Sequence, residues 1–181
     1  MTEAADGRRA VLIRRTRLDE AALLPALERS AALAFRNIDG LEWVVSHDVT
    51  SEAVHGEAIW AGRSWVAVRD GVLVGFALAE DHGDELHLME LAVAHEAQRC
   101  GVGAGLVRAV IAAAEEAGKS SVTLTTFASL PFNEGFYRKL GFERLTAEGM
   151  SPRLRACVDH EVTLGLPPER RCAMRRVRDE G

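Results

Sequence analysis

The sequence is poor in cysteine, and the arrangement of the few that are present excludes several kinds of site. Its three cysteines, Cys100, Cys157 and Cys172, are odd in number and widely spaced, and no CxxC pair occurs. No cluster of histidine and cysteine has the spacing of zinc ligands. The pattern therefore predicts reduced thiols, as in a cytoplasmic protein, and no metal site.

Long apolar runs and an excess of positive charge are also lacking. No segment approaches the ~18 apolar residues that a membrane-spanning helix needs, and residues 1–15 lack the apolar core of a secretory signal. Lys and Arg number 22 against 27 Asp and Glu, which gives a formal net charge of −5. This balance argues against binding of nucleic acid through a basic surface. We expect a cytoplasmic protein without membrane or nucleic-acid partners.

What is present is the composition of an ordinary globular domain. The hydrophobic share is 48%, and the 181 residues are enough to bury a sizeable core. We predict a single domain over residues 1–181, of which residues 1–9 are polar and flexible.

The clearest local pattern lies between Ser64 and Ala79. Two apolar runs flank Asp70-Gly71, which is typical of a two-residue hairpin turn because both positions need positive φ. A third strand is predicted over Glu85–Val93, directly after the next turn. Further strands are predicted over residues 10–16, 121–126 and 172–177, with another that starts at Phe142.

The spacing of apolar residues also predicts helices. One covers residues 19–36, with Asp19 as its cap, and another follows Gly103 and ends at Gly118. A short helix is predicted over residues 133–140. Residues 37–62 are predicted as helix plus loop, with Thr50 or Ser51 as a cap. Trp43 and Trp60 either line a pocket or, as the preferred interpretation, take part in core packing or lie on a partner surface. Residues 152–168 are predicted as a polar excursion. This order indicates a mixed α/β sheet with helices on both faces.

A glycine-rich turn connects the third strand to the helix that follows. Its sequence is Gln98-Arg99-Cys100-Gly101-Val102-Gly103-Ala104. Such a turn directs backbone N–H groups at one place, at the positive end of a helix, and can hold an anion. A P-loop is excluded because GK[ST] is absent. A dinucleotide fingerprint is incomplete, since the glycines read GxGxG and no acidic residue ends the next strand.

Two motifs in this order resemble those of the GNAT superfamily of N-acetyltransferases. The segment Leu91-Ala92-Val93, followed by Gln98, Gly101 and Gly103, resembles the acetyl-CoA motif [QR]xxGx[GA]. The segments Pro131-Phe132-Asn133 and Phe136-Tyr137-Arg138-Lys139-Leu140-Gly141-Phe142 resemble the second cofactor motif. The resemblance covers residues 64–142. It implies a mostly antiparallel sheet of six to seven strands, with a V-shaped split between the two central strands.

The resemblance also implies acetyl-CoA as co-substrate. The strand end formed by Leu91, Ala92 and Val93 would pair with the pantetheine arm. Asn133 would bond the same arm, and Phe136 belongs to the same motif. The pyrophosphate would lie on the turn that follows Gln98, on the backbone of Arg99, Cys100, Gly101, Val102, Gly103 and Ala104. Arg99 either adds charge for the phosphates or is simply exposed.

Tyr137 is the predicted general acid. When an amine attacks the thioester a thiolate must leave, and a phenol beside the sulfur can donate a proton as that charge develops. The matching tyrosine of the GNAT motif is commonly assigned this role, and Tyr137 is the only tyrosine in the chain. The alternative is an aromatic packing role.

Glu90 is the predicted base, with alternatives. It interrupts an apolar run, where a carboxylate is costly to bury without a partner, so a structural salt bridge is the other interpretation. His87 lies on the same strand, but alternation places it on the opposite face. Some GNAT enzymes use bulk water as base. A covalent route through Cys100, at a helix N-terminus, is a minor alternative.

The sequence therefore predicts an N-acetyltransferase that moves an acetyl group from acetyl-CoA to a primary amine by direct attack in a ternary complex. The acceptor is a small-molecule amine or a peptide or protein amine, selected by residues 37–62 and 146–168. The alternative function is a non-catalytic acyl-CoA-binding regulatory module. Many GNAT proteins dimerise through sheet edges, and a homodimer is compatible with the sequence.

Overall fold

A computed structural model of the chain describes residues 10–178, which contain seven β-strands and five α-helices. The strands are β1 (Leu12–Arg15), β2 (Ser64–Arg69), β3 (Val72–His82), β4 (Glu85–Val93), β5 (Ser121–Phe127), β6 (Glu143–Arg144) and β7 (Arg171–Val177). The helices are α1 (Leu24–Ala32), α2 (Glu52–Trp60), α3 (Val102–Glu116), α4 (Glu134–Arg138) and α5 (Pro152–Thr163). None of the described helices is both long enough and apolar enough to cross a membrane. The predicted flexibility of residues 1–9 lies outside the described residues.

The described residues group into two compact units. The first contains the described residues up to Phe76 together with Leu91–Leu106, and the second contains Ala77–Glu90 and the described residues from Val107 onward. The strands β3 and β4 and the helix α3 each contribute residues to both units. The expectation of a single domain stays a prediction.

The seven strands form one sheet in the order β1-β2-β3-β4-β5-β7-β6. The central pair β4–β5 is parallel, whereas β7 is antiparallel to both β5 and β6. The β4–β5 register runs from the pair Glu85–Ser121 to the pair Leu88–Leu124, although both strands continue beyond it. The predicted mixed, mostly antiparallel sheet with a split between its central strands is confirmed.

Helices lie on both faces of β5. Ile111 of α3 lies beside Val122, whereas Arg153 of α5 donates a hydrogen bond to Thr123. Successive side chains of a strand point to opposite faces, so α3 and α5 cover opposite sides of this part of the sheet. The predicted two-sided cover is confirmed.

The hairpin turn between β2 and β3 adopts the predicted conformation. Asp70 has φ of 51° and Gly71 has φ of 79°. The helix predicted over residues 19–36 is shorter than expected, because a 3-10 turn occupies Leu18–Leu23 and α1 begins only at Leu24. Pro25 explains this late start, since proline fits the first turn of a helix and not its interior.

Helix α5 is the element that the sequence prediction missed, since residues 152–168 were expected to form a polar excursion. The Ser151 side chain caps α5 by accepting a hydrogen bond from Leu154 N–H at 3.2 Å, and Pro152 starts its first turn. Ser-Pro ahead of a helical stretch was the available signal. Core packing is also wrong for Trp60, whose side chain is 87% exposed.

Candidate active site

The glycine-rich turn lies at the N-terminus of α3, within the first unit. Arg99 has φ of 60° and Gly101 has φ of 84°, so two left-handed residues flank the exposed Cys100. Regular helical bonding begins where Gly105 N–H donates to the carbonyl of Gly101 at 3.0 Å. The first four N–H groups of a helix have no partner within that helix. The turn therefore has the backbone donors and the positive helix end that an anion needs.

Gln98 uses its side chain inside the protein. Its amide nitrogen donates to the carbonyl of Val93 at 3.1 Å and to that of Ala31 at 3.3 Å. These two bonds connect the end of β4 to α1 and set the course of the chain into the turn. Gln98 was predicted to belong to the cofactor site, and in the structure its side chain holds the turn in place through these two bonds to the protein backbone.

The end of β4 is fixed by a close backbone approach at Gly75. A Cβ at Gly75 would lie 2.8 Å from the carbonyl oxygen of Ala92 and 3.2 Å from the side chain of Leu106. Glycine is required there because no larger residue fits so near a backbone oxygen. Ala94 N–H also donates to the carbonyl of Val74 at 2.9 Å. Between these contacts, Leu91 and Val93 remain half-buried.

Gly105, the third glycine after the strand, has a packing role. A Cβ on Gly105 would overlap the terminal methyl of the Ile13 side chain on β1. This glycine therefore permits α3 to pack closely against β1. The two earlier glycines, Gly101 and Gly103, remain as the candidates for contact with phosphate.

Tyr137 lies in the second unit, on α4, and is 8% exposed. Its ring contacts Phe136 and Phe142, with centroids 4.9 and 5.7 Å away. Burial raises the pKa of Tyr137 well above that of a free phenol, the Glu90 carboxylate raises it further, and Arg171 acts in the opposite direction. The phenol therefore carries its proton at neutral pH. Tyr137 therefore packs against aromatic rings and also carries a proton that it can donate, so its environment is compatible with both roles predicted from the sequence.

Glu90 is half-buried on β4, beyond the last residue that pairs with β5. Its carboxylate adds to the effect of burial in raising the pKa of Tyr137. The two residues predicted to be catalytic thus belong to the same unit and are electrostatically linked.

His87 is buried and hydrogen-bonded on the other face of β4. Its Nδ1 lies 3.0 Å from the hydroxyl oxygen of Thr123, which accepts a hydrogen bond from Arg153 at 2.9 Å. A hydroxyl has one proton and two acceptor lone pairs, so Thr123 can accept from Arg153 and also form a hydrogen bond with His87 Nδ1, with either atom as the donor. Burial, with Arg153 and His82, lowers the pKa of His87 to about 3. Such an imidazole is a weak base.

Asn133 precedes α4 and has one unsatisfied polar atom. Its side-chain amide nitrogen donates to the hydroxyl of Thr126 at 3.1 Å, while its buried Oδ1 has no partner among the described residues. A buried acceptor without a partner is costly. The free oxygen therefore fits an amide N–H of a ligand, which is the kind of donor that a pantetheine arm carries.

Glu134 fixes the loop before α4, and sequence reasoning did not single it out. Its buried carboxylate accepts hydrogen bonds at 2.7 Å both from Ser129 N–H and from Arg138. Nothing in the local sequence marks it, because Glu on a short helix is most often exposed. The described residues contain no group of three or more His, Cys, Asp or Glu that could hold a metal ion.

Residues 32–142 match the acetyltransferase (GNAT) family. Among solved structures, the chain is similar to the PaiA N-acetyltransferase from Thermoplasma acidophilum in complex with coenzyme A, with a TM-score of 0.67 and 15% identity, over 93% of this chain and 99% of that one. It is also similar to the ribosomal-protein-S18-alanine N-acetyltransferase from Escherichia coli, with a TM-score of 0.66 and 18% identity, over 95% and 97% of the two chains.

A third similar structure is larger. N-acetylglutamate synthase from Neisseria gonorrhoeae, complexed with coenzyme A and N-acetyl-glutamate, gives a TM-score of 0.71 at 18% identity. The match covers 96% of this chain and 36% of that one, so this chain corresponds to about a third of the synthase. At such identities the three structures establish a shared fold.

Proposed function

The chain belongs to the acetyltransferase (GNAT) family, and we propose that it transfers the acetyl group of acetyl-CoA to a primary amine. The observation that carries this proposal is the placement of two proton-transfer groups in one unit. The Tyr137 phenol is 8% exposed on α4, and the Glu90 carboxylate is half-buried on β4 and adds to the effect of burial in raising the pKa of Tyr137. A proton donor and a proton acceptor are the two groups that aminolysis of a thioester needs.

Two features of the chain support acetyl-CoA as the co-substrate. The turn from Arg99 to Ala104 offers backbone donors for a pyrophosphate at the start of α3. The buried Oδ1 of Asn133 has no protein partner among the described residues and fits an amide N–H of the pantetheine arm. Similar proteins from Thermoplasma acidophilum and Neisseria gonorrhoeae are complexed with coenzyme A.

The proposed mechanism assigns each proton to a residue of this chain. Acetyl-CoA supplies an activated acyl group and a thiolate leaving group. Glu90 accepts a proton from the ammonium form of the acceptor, directly or through water, which frees the nitrogen lone pair for attack. The N–C bond forms first, and Tyr137 then donates its phenolic proton to the departing sulfur as the C–S bond breaks. The second nitrogen proton passes to the Tyr137 phenolate, directly or through water, and Glu90 releases its proton to solvent. The half-buried strand end at Leu91–Val93 would hold the pantetheine arm by backbone pairing.

The two proton-transfer groups are electrostatically coupled. Burial raises the pKa of Tyr137 and the Glu90 carboxylate raises it further, so protonation of Glu90 by the amine would remove the second of these two effects.

The test is release of free thiol from acetyl-CoA across a panel of primary amines, for wild type and Tyr137→Phe. The phenylalanine keeps the ring packing and removes only the proton donor. We expect kcat to fall about 10²- to 10⁴-fold, with the affinity for coenzyme A unchanged. Glu116→Gln, at an exposed residue at the end of α3, is the matched control and should retain wild-type rates.

One result would overturn the role of Tyr137, and another would overturn the enzymatic proposal as a whole. Wild-type rates in Tyr137→Phe would remove the phenol from the mechanism. Binding of coenzyme A without thiol release for any amine would leave the alternative, a non-catalytic acyl-CoA-binding module.

A further inference from the structure

The loop of residues 128–133, here called the α4 loop, joins β5 to α4 and ends at Asn133. Its start is anchored to the neighbouring chain segment, because Ala128 N–H donates to the carbonyl of Arg170 at 2.8 Å. Its end turns back on the loop itself, since Asn133 N–H donates to the carbonyl of Leu130 at 3.0 Å. The position of Asn133 therefore depends on the conformation of the loop that precedes it.

Within the α4 loop, Ser129 has an unfavourable backbone conformation. Its φ is 63°, in the left-handed region that residues other than glycine seldom adopt. Ser129 is exposed, so packing of its side chain does not impose this conformation. Such a conformation persists only where neighbouring groups hold the backbone in place.

The group that holds Ser129 is the carboxylate of Glu134. One oxygen of Glu134 accepts from Ser129 N–H at 2.7 Å, and the other accepts from Arg138 at 2.7 Å. Only 6% of Glu134 is exposed, and a hydrogen bond to an ionised acceptor is stronger than one between neutral groups. Because both oxygens are engaged inside the protein, this carboxylate acts on the loop and not directly on a ligand.

The conformation held in this way leaves one atom of Asn133 free for a ligand. The side-chain nitrogen of Asn133 donates to the Thr126 hydroxyl at 3.1 Å, which fixes the amide group, and the buried Oδ1 has no partner among the described residues. A preformed acceptor binds a donor without the entropic cost of ordering a loop. If Ser129 relaxed to negative φ, the Leu130 carbonyl would move, and Asn133 would move with it.

We propose that Glu134 is a positioning residue for the cofactor: its carboxylate holds the α4 loop in the conformation that presents Oδ1 of Asn133 to an amide N–H of the pantetheine arm. The inference rests on the proposed function, because it concerns the co-substrate of that reaction. It assigns a role in recognition to a buried carboxylate that has no bond of its own to the ligand.

The experiment compares coenzyme A with ADP, which carries a pyrophosphate and lacks the pantetheine arm, by calorimetric titration of wild type and Glu134→Ala. We expect the Kd of coenzyme A to rise about tenfold or more and that of ADP to change less than about twofold. Glu115→Ala is the matched control, since it also removes a carboxylate that pairs with an arginine, at 3.1 Å from Arg176. It should leave both affinities unchanged.

Glu134→Gln is the conservative variant and keeps the test possible where Glu134→Ala fails to fold. Its side-chain oxygen can still accept from Ser129 N–H but lacks the negative charge. We expect a smaller loss of affinity for coenzyme A, about threefold, and again an unchanged affinity for ADP. An equal loss for coenzyme A and ADP in the variants would indicate general damage to the fold and would overturn the positioning role.

A double-mutant cycle tests whether Glu134 acts through Asn133. Asn133→Ala removes the acceptor that the loop presents. In that background we expect Glu134→Ala to change the Kd of coenzyme A by less than about twofold, because two residues that act as one unit are not additive. A full tenfold loss in the Asn133→Ala background would overturn the proposed route.

Release of thiol from acetyl-CoA, measured on the same proteins, separates this inference from the proposed function. Wild-type affinity for coenzyme A in Glu134→Ala, with thiol release in wild type, would overturn the positioning role and leave the enzymatic proposal standing. The selective loss of affinity for coenzyme A, without thiol release by wild type for any amine, would support the positioning role and overturn the enzymatic proposal.

Discussion

Among single residues, His55 makes the clearest prediction about stability. It is fully buried on α2, and neither ring nitrogen has a hydrogen-bond partner within residues 10–178. Its ring packs edge-on against Phe76 with centroids 4.9 Å apart. Burial lowers the pKa of His55, so the folded state favours the neutral ring. Below pH about 6.5 the unfolded chain takes up a proton that the folded chain resists. Stability therefore falls as the pH falls.

We predict that His55→Phe weakens this pH dependence. In wild type, each buried neutral histidine lowers the free energy of unfolding by up to about 1.4 kcal/mol per pH unit below pH 6.5. His87, with its pKa lowered to about 3, contributes in the same direction, so the variant should lose only the His55 share. Urea denaturation at pH 7.5, 6.0 and 5.0 measures the slope. His160→Asn, at an exposed site, should leave it unchanged, and equal slopes in wild type and His55→Phe would contradict the prediction.

The sequence motifs were sufficient to predict which residues belong to the candidate site. They were not sufficient to predict the contacts that those residues make in the folded chain. The spacing of the second motif was enough to single out Tyr137 and Asn133. The bond between His87 and Thr123 depends on how β4 and β5 pair, and those residues are 36 positions apart in the chain. The unsatisfied oxygen of Asn133 likewise depends on which atoms the folded chain leaves near it. Contacts between residues so far apart in the chain leave no recognisable pattern in the local sequence.

At the level of elements, strands and turns were more predictable than helix ends. Asp70-Gly71 specifies its turn locally, because few residues tolerate positive φ. The start of α1 depends on Pro25, and α5 lacks the apolar stripe that usually marks a helix. Its attachment comes instead from ion pairs with distant strands, which only the folded sheet brings together.

The attachment of α5 leads to a prediction for Glu85→Gln. Arg153 donates from Nε to Glu85 at 2.9 Å, and the side chains of the pair are 23% and 20% exposed. The change leaves a half-buried guanidinium without its counter-charge, which should lower the free energy of unfolding by about 1–3 kcal/mol. Hydrogen exchange should also accelerate across Pro152–Thr163 more than elsewhere. Chemical denaturation and exchange mass spectrometry measure the two effects.

An exposed pair provides the control for Glu85→Gln. Arg17 and Asp19 lie 3.3 Å apart with side chains 63% and 74% exposed, and Asp19→Asn should change stability by less than about 0.5 kcal/mol. If both changes have equally small effects, the Arg153–Glu85 pair does not hold α5 in place.

For the whole molecule, coenzyme A should act as a stabilising ligand, because a ligand that binds only the folded chain raises its stability by mass action. At about 100 times its dissociation constant the gain is about 2.7 kcal/mol, which for a chain of this size corresponds to an increase in Tm of roughly 5–11 °C. Pantetheine, which lacks the phosphates, should give a much smaller increase. Thermal unfolding with each ligand measures the difference.

The same measurement tests whether the turn before α3 holds the phosphates. Gly103→Asp places a carboxylate at the start of α3, where it interacts favourably with the helix dipole and repels an anionic ligand. We expect the Tm without ligand to be unchanged or slightly higher, and the increase caused by coenzyme A to disappear. Ala112→Glu adds the same charge at an exposed position farther along α3 and should keep the full increase. Retention of that increase in Gly103→Asp would place the phosphates elsewhere on the protein, because a carboxylate within hydrogen-bonding range of the pyrophosphate cannot be neutral in its effect on binding.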